Sequence, residues 1–230
     1  MKTIGLIGGM SWESTSSYYR LINEGVKAAL GGLHSAQIVM VSIDFAPLEE
    51  LQMNGDWDSA AEVLVKAAKQ LEAAGVDAIM ICTNTMHISV PQIEAVVPVP
   101  ILHIADATGE LLVTQGQKKV ALLGTAFTME QDFYKGRLID KFGLEVIIPN
   151  TNDRASVHNI IYQELCLGKI KPNSREQYLN IIAKMAEQGA ESIILGCTEI
   201  GLLVKQPDTR VKLLDTTLIH AQKATSFLLS

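Results

Sequence analysis

The sequence has only three cysteines, Cys82, Cys166 and Cys197, and no two of them form a C-x-x-C pair. An odd, sparse set in 230 residues argues against a disulfide framework and for a reducing compartment. His34, His87, His103, His158 and His220 include no H-x-x-x-H pair, so spacing reveals no metal site. No apolar run approaches the ~18 residues of a membrane span. The opening Met1 to Gly9 is too short and too broken by glycine for a signal peptide. Basic residues are in the minority, 19 Lys and Arg against 25 Asp and Glu, for a net charge of -6. That balance speaks against nucleic acid or an anionic membrane as partner. A small anionic substrate stays open, because a pocket can be locally positive. Neither a G-x-G-x-x-G fingerprint nor a P-loop occurs, and no lysine stands in a recognisable Schiff-base context. The absences together predict a soluble, cytoplasmic protein that uses no metal and no organic cofactor.

What is present is an ordinary globular composition, with 48% hydrophobic and 19% charged residues, enough to build a proper core. Short apolar runs alternate with helical periodicity. Ile4-Gly5-Leu6-Ile7, Gln37 to Ile43 and Val76 to Cys82 read as strands, and Ser14 to Leu30 and Ala60 to Ala74 as helices. Gly75 suits the position just past a helix end. The second half repeats the order. Lys118 to Gly124, Leu144 to Ile148 and Ala190 to Cys197 read as strands, and Met129 to Phe142 and Arg175 to Gln188 as helices, the last closed by Gly189. The register is tight: 189 less 75, and 197 less 83, are both 114. Ile101-Leu102-His103 plus a helix parallels Leu213-Leu214-Asp215 plus a helix. The reading is an α/β protein of two similar, duplicated units with parallel sheets. The expected boundaries are 1–100 with 212–230 for the first half and 101–211 for the second. A cleft between the halves is the default site, since ligands in such folds sit beyond the carboxyl ends of strands.

Gly8-Gly9-Met10-Ser11 reads first as a tight strand-to-helix turn, and second as a set of backbone N–H groups for a carboxylate. The third strand of each half ends in small polar residues, Cys82-Thr83-Asn84-Thr85 and Cys197-Thr198-Glu199. Thr83 and Cys197 occupy equivalent places in the repeat. Side chains alternate along a strand, so Cys82 points away from the face that Thr83 presents and is expected to be structural, as is Cys166.

These stretches carry a resemblance. Gly8-Gly9-Met10-Ser11-Trp12-Glu13-Ser14-Thr15, Cys82-Thr83-Asn84-Thr85-Met86-His87 and Leu195-Gly196-Cys197-Thr198-Glu199-Ile200 together resemble the aspartate/glutamate racemase family, nearest its L-aspartate/glutamate-specific branch, over nearly the whole chain. The resemblance implies two pseudo-symmetric Rossmann-like halves, a cleft between them, a homodimer, and cofactor-independent racemisation by two facing cysteines. The family's first motif reads Cys-Asn-Thr; here Thr83 stands in the cysteine's place, and the second cysteine is kept as Cys197. A thiolate is accessible near neutral pH, whereas a threonine hydroxyl is a poor abstracting base. Cys197 is therefore expected to be the abstracting base; the resemblance implies that it acts on the L face, on L-Asp or L-Glu, with reprotonation from the Thr83 side.

Donors for the developing enediolate charge are sought in Asn84, Thr85, Thr198 and the loop holding Thr125 and Thr128, with Met10 and Ser11 in the opening turn. Glu199 is expected to accept from the substrate ammonium or to tune Cys197. Gln52, in a loop after the second strand, is expected to reach the distal carboxylate where related racemases often use arginine; an amide holds it less strongly. Lys169 either supplies the missing positive charge or is a solvated loop lysine. His87 is expected to brace the Asn84 loop, with His103 and Asp215 behind the site. Two other functions compete: a single-cysteine decarboxylase or isomerase of the same superfamily, and a non-catalytic binder of small carboxylates.

Overall fold

The computed structural model describes residues 1–230. The chain forms two compact units, Met1–Ile104 with His220–Ser230, and Ala105–Ile219. No helix is long and apolar enough to cross a membrane.

The first unit runs β1 (Thr3–Gly8), α1 (Trp12–Leu30), β2 (Gln37–Ser42), α2 (Phe45–Met53), α3 (Trp57–Ala73) and β3 (Ala78–Ile81), then a 3-10 turn Thr85–Ser89 and α4 (Val90–Glu94). Its three strands are parallel in the order β2-β1-β3. Alternation along β1 sends Ile4 and Leu6 to one face of the sheet and Ile7 to the other. Ile4 and Leu6 pack with Tyr18, Ile22 and Val26 of α1, with Met80 and Cys82, and with Ala221, Ala224 and Leu228 near the chain end. On the opposite face Ile7, Ile79 and Ile81 meet Leu64, Ala67, Ala68 and Leu71 of α3. The β2 strand reads as continuously apolar but is an edge, and every residue of it retains some exposure.

The second unit continues with α5 (Ile104–Thr114), β4 (Lys119–Gly124), α6 (Ala126–Glu130), α7 (Lys135–Phe142), β5 (Glu145–Ile147), α8 (Thr151–Gln163), α9 (Pro172–Glu187), β6 (Ser192–Gly196), α10 (Ile200–Leu203), β7 (Lys212–Asp215) and α11 (Thr216–Leu229). Its parallel sheet has the order β5-β4-β6-β7. The first three strands repeat the arrangement of the first unit. The fourth has a reduced counterpart there: Ile101 bridges Ile79 in parallel, as β7 runs beside β6.

The repeat extends to the helix ends. Val76 N–H donates to Leu71 O and Gly75 N–H to Glu72 O; Ala190 N–H donates to Met185 O and Gly189 N–H to Ala186 O. Both pairs are the Schellman closure, which needs a residue at positive φ. Gly75 has φ 73° and Gly189 φ 93°. Both halves are Rossmann-like α/β units, as expected.

Three sequence expectations are corrected. The single helix expected over Met129 to Phe142 is two, α6 and α7, because the chain leaves helical geometry at Gln131 (ψ 157°). The segment after β2, read as a loop, is helix α2, capped by Asp44, whose side chain accepts from Ala46 N–H. Residues 212–219, assigned to the first half, belong to the second unit because β7 pairs with β6; residues 101–104 go with the first because Ile101 bridges β3. Along α11 the change of unit falls at His220.

Candidate active site

In the first unit, β1 ends at a glycine pair that packing demands. A Cβ on Gly8 would lie 2.3 Å from Thr15 Cγ2, and one on Gly9 would lie 2.0 Å from the Ile43 carbonyl oxygen. Gly9 also has φ 93°, a conformation that favours glycine. The turn is held by its own groups. Gly9 N–H donates to Thr15 Oγ1 (2.8 Å), Thr15 Oγ1 donates to Ser11 O (2.8 Å), and Ser11 caps α1 by accepting from Ser14 N–H (3.3 Å). Ser14 Oγ donates to Cys82 O (2.8 Å), fastening the turn to the end of β3. The strand-to-helix turn reading therefore takes precedence over a carboxylate cradle at Gly9, whose N–H is used internally.

Cys82 is fully buried in the apolar cluster under this turn, and burial pushes its thiol far above the ordinary range. Thr83 follows it, half-buried, with Asn84 and Thr85 buried behind. His87 fixes this backbone. Ile104 N–H donates to His87 Nε2 (3.2 Å), so Nε2 carries the lone pair and Nδ1–H donates to Thr83 O (2.8 Å). His103 and His220 lie close, with ring centroids 4.6 and 5.7 Å from His87. Burial, then these two neighbours, lower the His87 pKa well below its usual value. His220 accepts from Tyr18 Oη at Nδ1 (3.0 Å) and donates from Nε2 to Leu102 O (2.6 Å), and burial pushes it down to about 4. His87 thus braces Thr83 as expected. His220, for which the sequence offers no signal, lies behind it together with His103.

In the second unit β4 ends at Gly124 and β6 at Gly196. A Cβ on Gly124 would meet Gly196 O at 2.9 Å, and one on Gly196 would meet Leu123 O at 3.0 Å. Thr125 caps α6, its Oγ1 accepting from Thr128 N–H and lying 3.2 Å from Thr128 Oγ1. His158 Nδ1 accepts from Ala126 N–H (3.1 Å), a support for this loop that the sequence does not reveal.

Cys197 lies just beyond β6, half-buried. Its Sγ–H donates to Glu199 Oε2 (3.0 Å), which also accepts from Thr198 Oγ1 (2.6 Å). Glu199 is buried, at 7% exposure. Burial, then the Glu199 carboxylate, raise the Cys197 thiol pKa well above its usual value. The sequence-predicted trio Cys197, Thr198 and Glu199 is therefore one hydrogen-bonded group.

Other expected site residues stand differently. The Met10 side chain is buried in the apolar cluster with Leu48 and Met86, so only its backbone remains for a ligand. Gln52 projects from helix α2, not from a loop; it is buried and its Nε2 donates to Met86 Sδ (3.0 Å). Lys169 is exposed beyond the 3-10 turn Leu165–Leu167. That turn also carries Cys166, which is half-buried. No group of three His, Cys, Asp or Glu side chains is arranged to hold a metal ion.

A family model described as Asp/Glu/Hydantoin racemase matches residues 7–224. The chain is 54% identical to a Yersinia pestis protein assigned as an Asp/Glu racemase, with a TM-score of 0.94 and both chains covered in full. It is 35% identical to an aspartate racemase homologue from Pyrococcus horikoshii OT3, TM-score 0.85, again with full coverage of both. It is also 24% identical over 227 residues to the broad specificity amino-acid racemase RacX of Bacillus subtilis (strain 168), covering 97% of this chain and 96% of that protein.

Proposed function

The chain belongs to the Asp/Glu/Hydantoin racemase family, and from that premise we propose that it racemises an acidic amino acid, L-aspartate or L-glutamate, without a cofactor. Cys197 takes the α-proton from the L face. The proton on the opposite face returns from the Thr83 side, by the hydroxyl or by a water that it holds. The observation that carries this reading is the position of Cys197: a half-buried thiol just past the central strand β6, hydrogen-bonded to a carboxylate. Thr83 follows β3 at the equivalent place of the other unit.

The carbanion formed at Cα carries its charge into the α-carboxylate, so fixed donors around that group lower the barrier. Ser11, Asn84, Thr85, Thr125 and Thr128 supply them, with the backbone N–H of Thr198, whose hydroxyl is given to Glu199. Buried Gln52 is suited to the distal carboxylate, and Lys169 adds positive charge from outside.

The test is solvent-deuterium incorporation at the α-carbon. With L-Asp or L-Glu in deuterium oxide, the protein should label the α-position and form the D enantiomer. A non-catalytic carboxylate binder labels nothing, and a decarboxylase of the same superfamily leaves these amino acids unlabelled. Absence of both exchange and D product would overturn the reading.

A further inference from the structure

An abstracting base must be a thiolate, yet Cys197 is held as a thiol. Its Sγ is 3.0 Å from Glu199 Oε2, and the same oxygen takes the Thr198 hydroxyl at 2.6 Å. Glu199 stands at the start of α10, where a side chain commonly caps the helix, yet it makes no capping hydrogen bond. Its carboxylate turns back to the sulfur instead. A buried carboxylate at hydrogen-bond distance opposes removal of the thiol proton, because the product would be two anions side by side. The other titratable group that acts on this sulfur is Cys166, in the 3-10 turn, and the sulfur in turn acts on Tyr178, on α9. Burial raises the Tyr178 hydroxyl further and keeps it neutral.

We propose that Glu199 is a charge gate on Cys197: its Oε2 retains the Sγ proton while no ligand is bound, and pairing of the carboxylate with the cationic amino group of an amino-acid ligand lets that proton leave. The proposal rests on the reading of Cys197 as the base. In the gating step the S–H bond breaks, its electron pair stays on sulfur, and the proton passes to a solvent buffer base. The negative charge lost at Glu199 by pairing is regained at sulfur, so the buried site never holds two unpaired anions. The free enzyme thereby keeps its thiol in the form least open to oxidation or alkylation. A ligand must bring an amino group to arm it; a dicarboxylate alone does not.

The test reads the thiol directly. Ligand-free wild type, Glu199→Gln and Glu199→Asp are labelled with iodoacetamide across pH, and the Cys197 peptide is quantified by mass spectrometry. That choice leaves Cys82 and Cys166 out of the readout. Glu199→Gln should lower the labelling midpoint by at least one pH unit, so that labelling at neutral pH rises about tenfold. Glu199→Asp keeps the charge and should hold the midpoint above that of the Gln variant. In wild type, L-aspartate should raise the ultraviolet thiolate absorbance and succinate should not. That comparison needs no variant and stands if the Gln protein fails to fold. Equal midpoints for wild type and Glu199→Gln, or an equal absorbance rise with succinate, would overturn the gate. Labelling needs no turnover, so its failure is distinct from failure of the reading of Cys197 as the base, which shows as unchanged α-exchange in Cys197→Ala, and from failure of the racemase reading, which shows as no exchange and no D product in wild type.

Discussion

His87 Nδ1–H donates to the Thr83 carbonyl over 2.8 Å, and its other ring nitrogen accepts from Ile104 N–H. One neutral imidazole thus ties the residue after β3 to the backbone at the start of α5. His87→Leu leaves a buried N–H and a carbonyl without this partner, at a cost of about 1–3 kcal/mol in stability. Racemisation should suffer more than α-exchange at the L enantiomer, because Thr83 loses its anchor while Cys197 does not. Denaturant titration and paired exchange and product assays check this; equal loss of both rates would show that His87 acts only on stability.

Acid should unfold the protein through its buried histidines. His220 goes from the ordinary value of 6.5 to about 4 on folding, so below pH 6.5 the unfolded chain binds the proton that the folded chain refuses. Stability from this group is whole above 6.5 and falls as pH drops toward 4. By linkage the loss between about pH 7 and about pH 5 is about 2 kcal/mol, and His87 shifts in the same direction. Urea unfolding at both pH values should show the loss, and His220→Gln should flatten it. An unchanged acid limb in that variant would contradict the assignment.

Gly9→Ala should be among the most damaging small substitutions in the chain. The new Cβ would stand 2.0 Å from Ile43 O, at a φ that L residues avoid. A cost of roughly 2 kcal/mol or more is expected from clash and backbone strain together. Gly75→Ala meets nothing within 4 Å and should cost about 1 kcal/mol from φ alone. Thermal unfolding of the two variants orders them; a milder effect at Gly9 would mean that the turn relaxes freely.

The three cysteines should separate cleanly. Cys197→Ala and Cys197→Ser remove the thiolate with little change in volume and should abolish α-proton exchange with the L-amino acid. Cys82→Ala should keep activity at reduced stability, since the thiol is fully buried in an apolar cluster. Cys166→Ala should keep both. Deuterium exchange followed by NMR measures all four, and wild-type exchange in Cys197→Ala would remove Cys197 from its role.

The repeated strand order, the glycine helix ends and the Thr83 and Cys197 correspondence were legible because they are local and periodic. The Schellman closures at Gly75 and Gly189 follow from sequence position alone. Helix α2 was not legible: Pro47 and a short, weakly patterned run mimic a loop, and its Asp44 cap is visible only in three dimensions. The break between α6 and α7 was hidden because Met129 to Phe142 keeps helical periodicity across it. The role of His220 was invisible for another reason. Its partners Tyr18, Leu102 and His87 are distant in sequence, and packing alone brings them together. The same holds for His158 beneath the Thr125 loop.

The central claim is that Cys197 works on the L face and that Thr83 makes the opposite face slow. Enantiomers have equal free energy in achiral solvent, so kcat/KM must be equal in both directions for any true racemase. The asymmetry shows in saturated rates, in KM, or in exchange without turnover. The direct measurement is α-deuteration against D-product formation in early turnover from L-Asp or L-Glu, for wild type, Thr83→Cys and Thr83→Ala. Wild type should exchange faster than it forms D product, because Cys197 can swap its proton with solvent and return it to the same face. Thr83→Cys should raise racemisation and close the gap, and Thr83→Ala should keep exchange while lowering conversion. Equal exchange and product rates in wild type, from either enantiomer, would contradict the account.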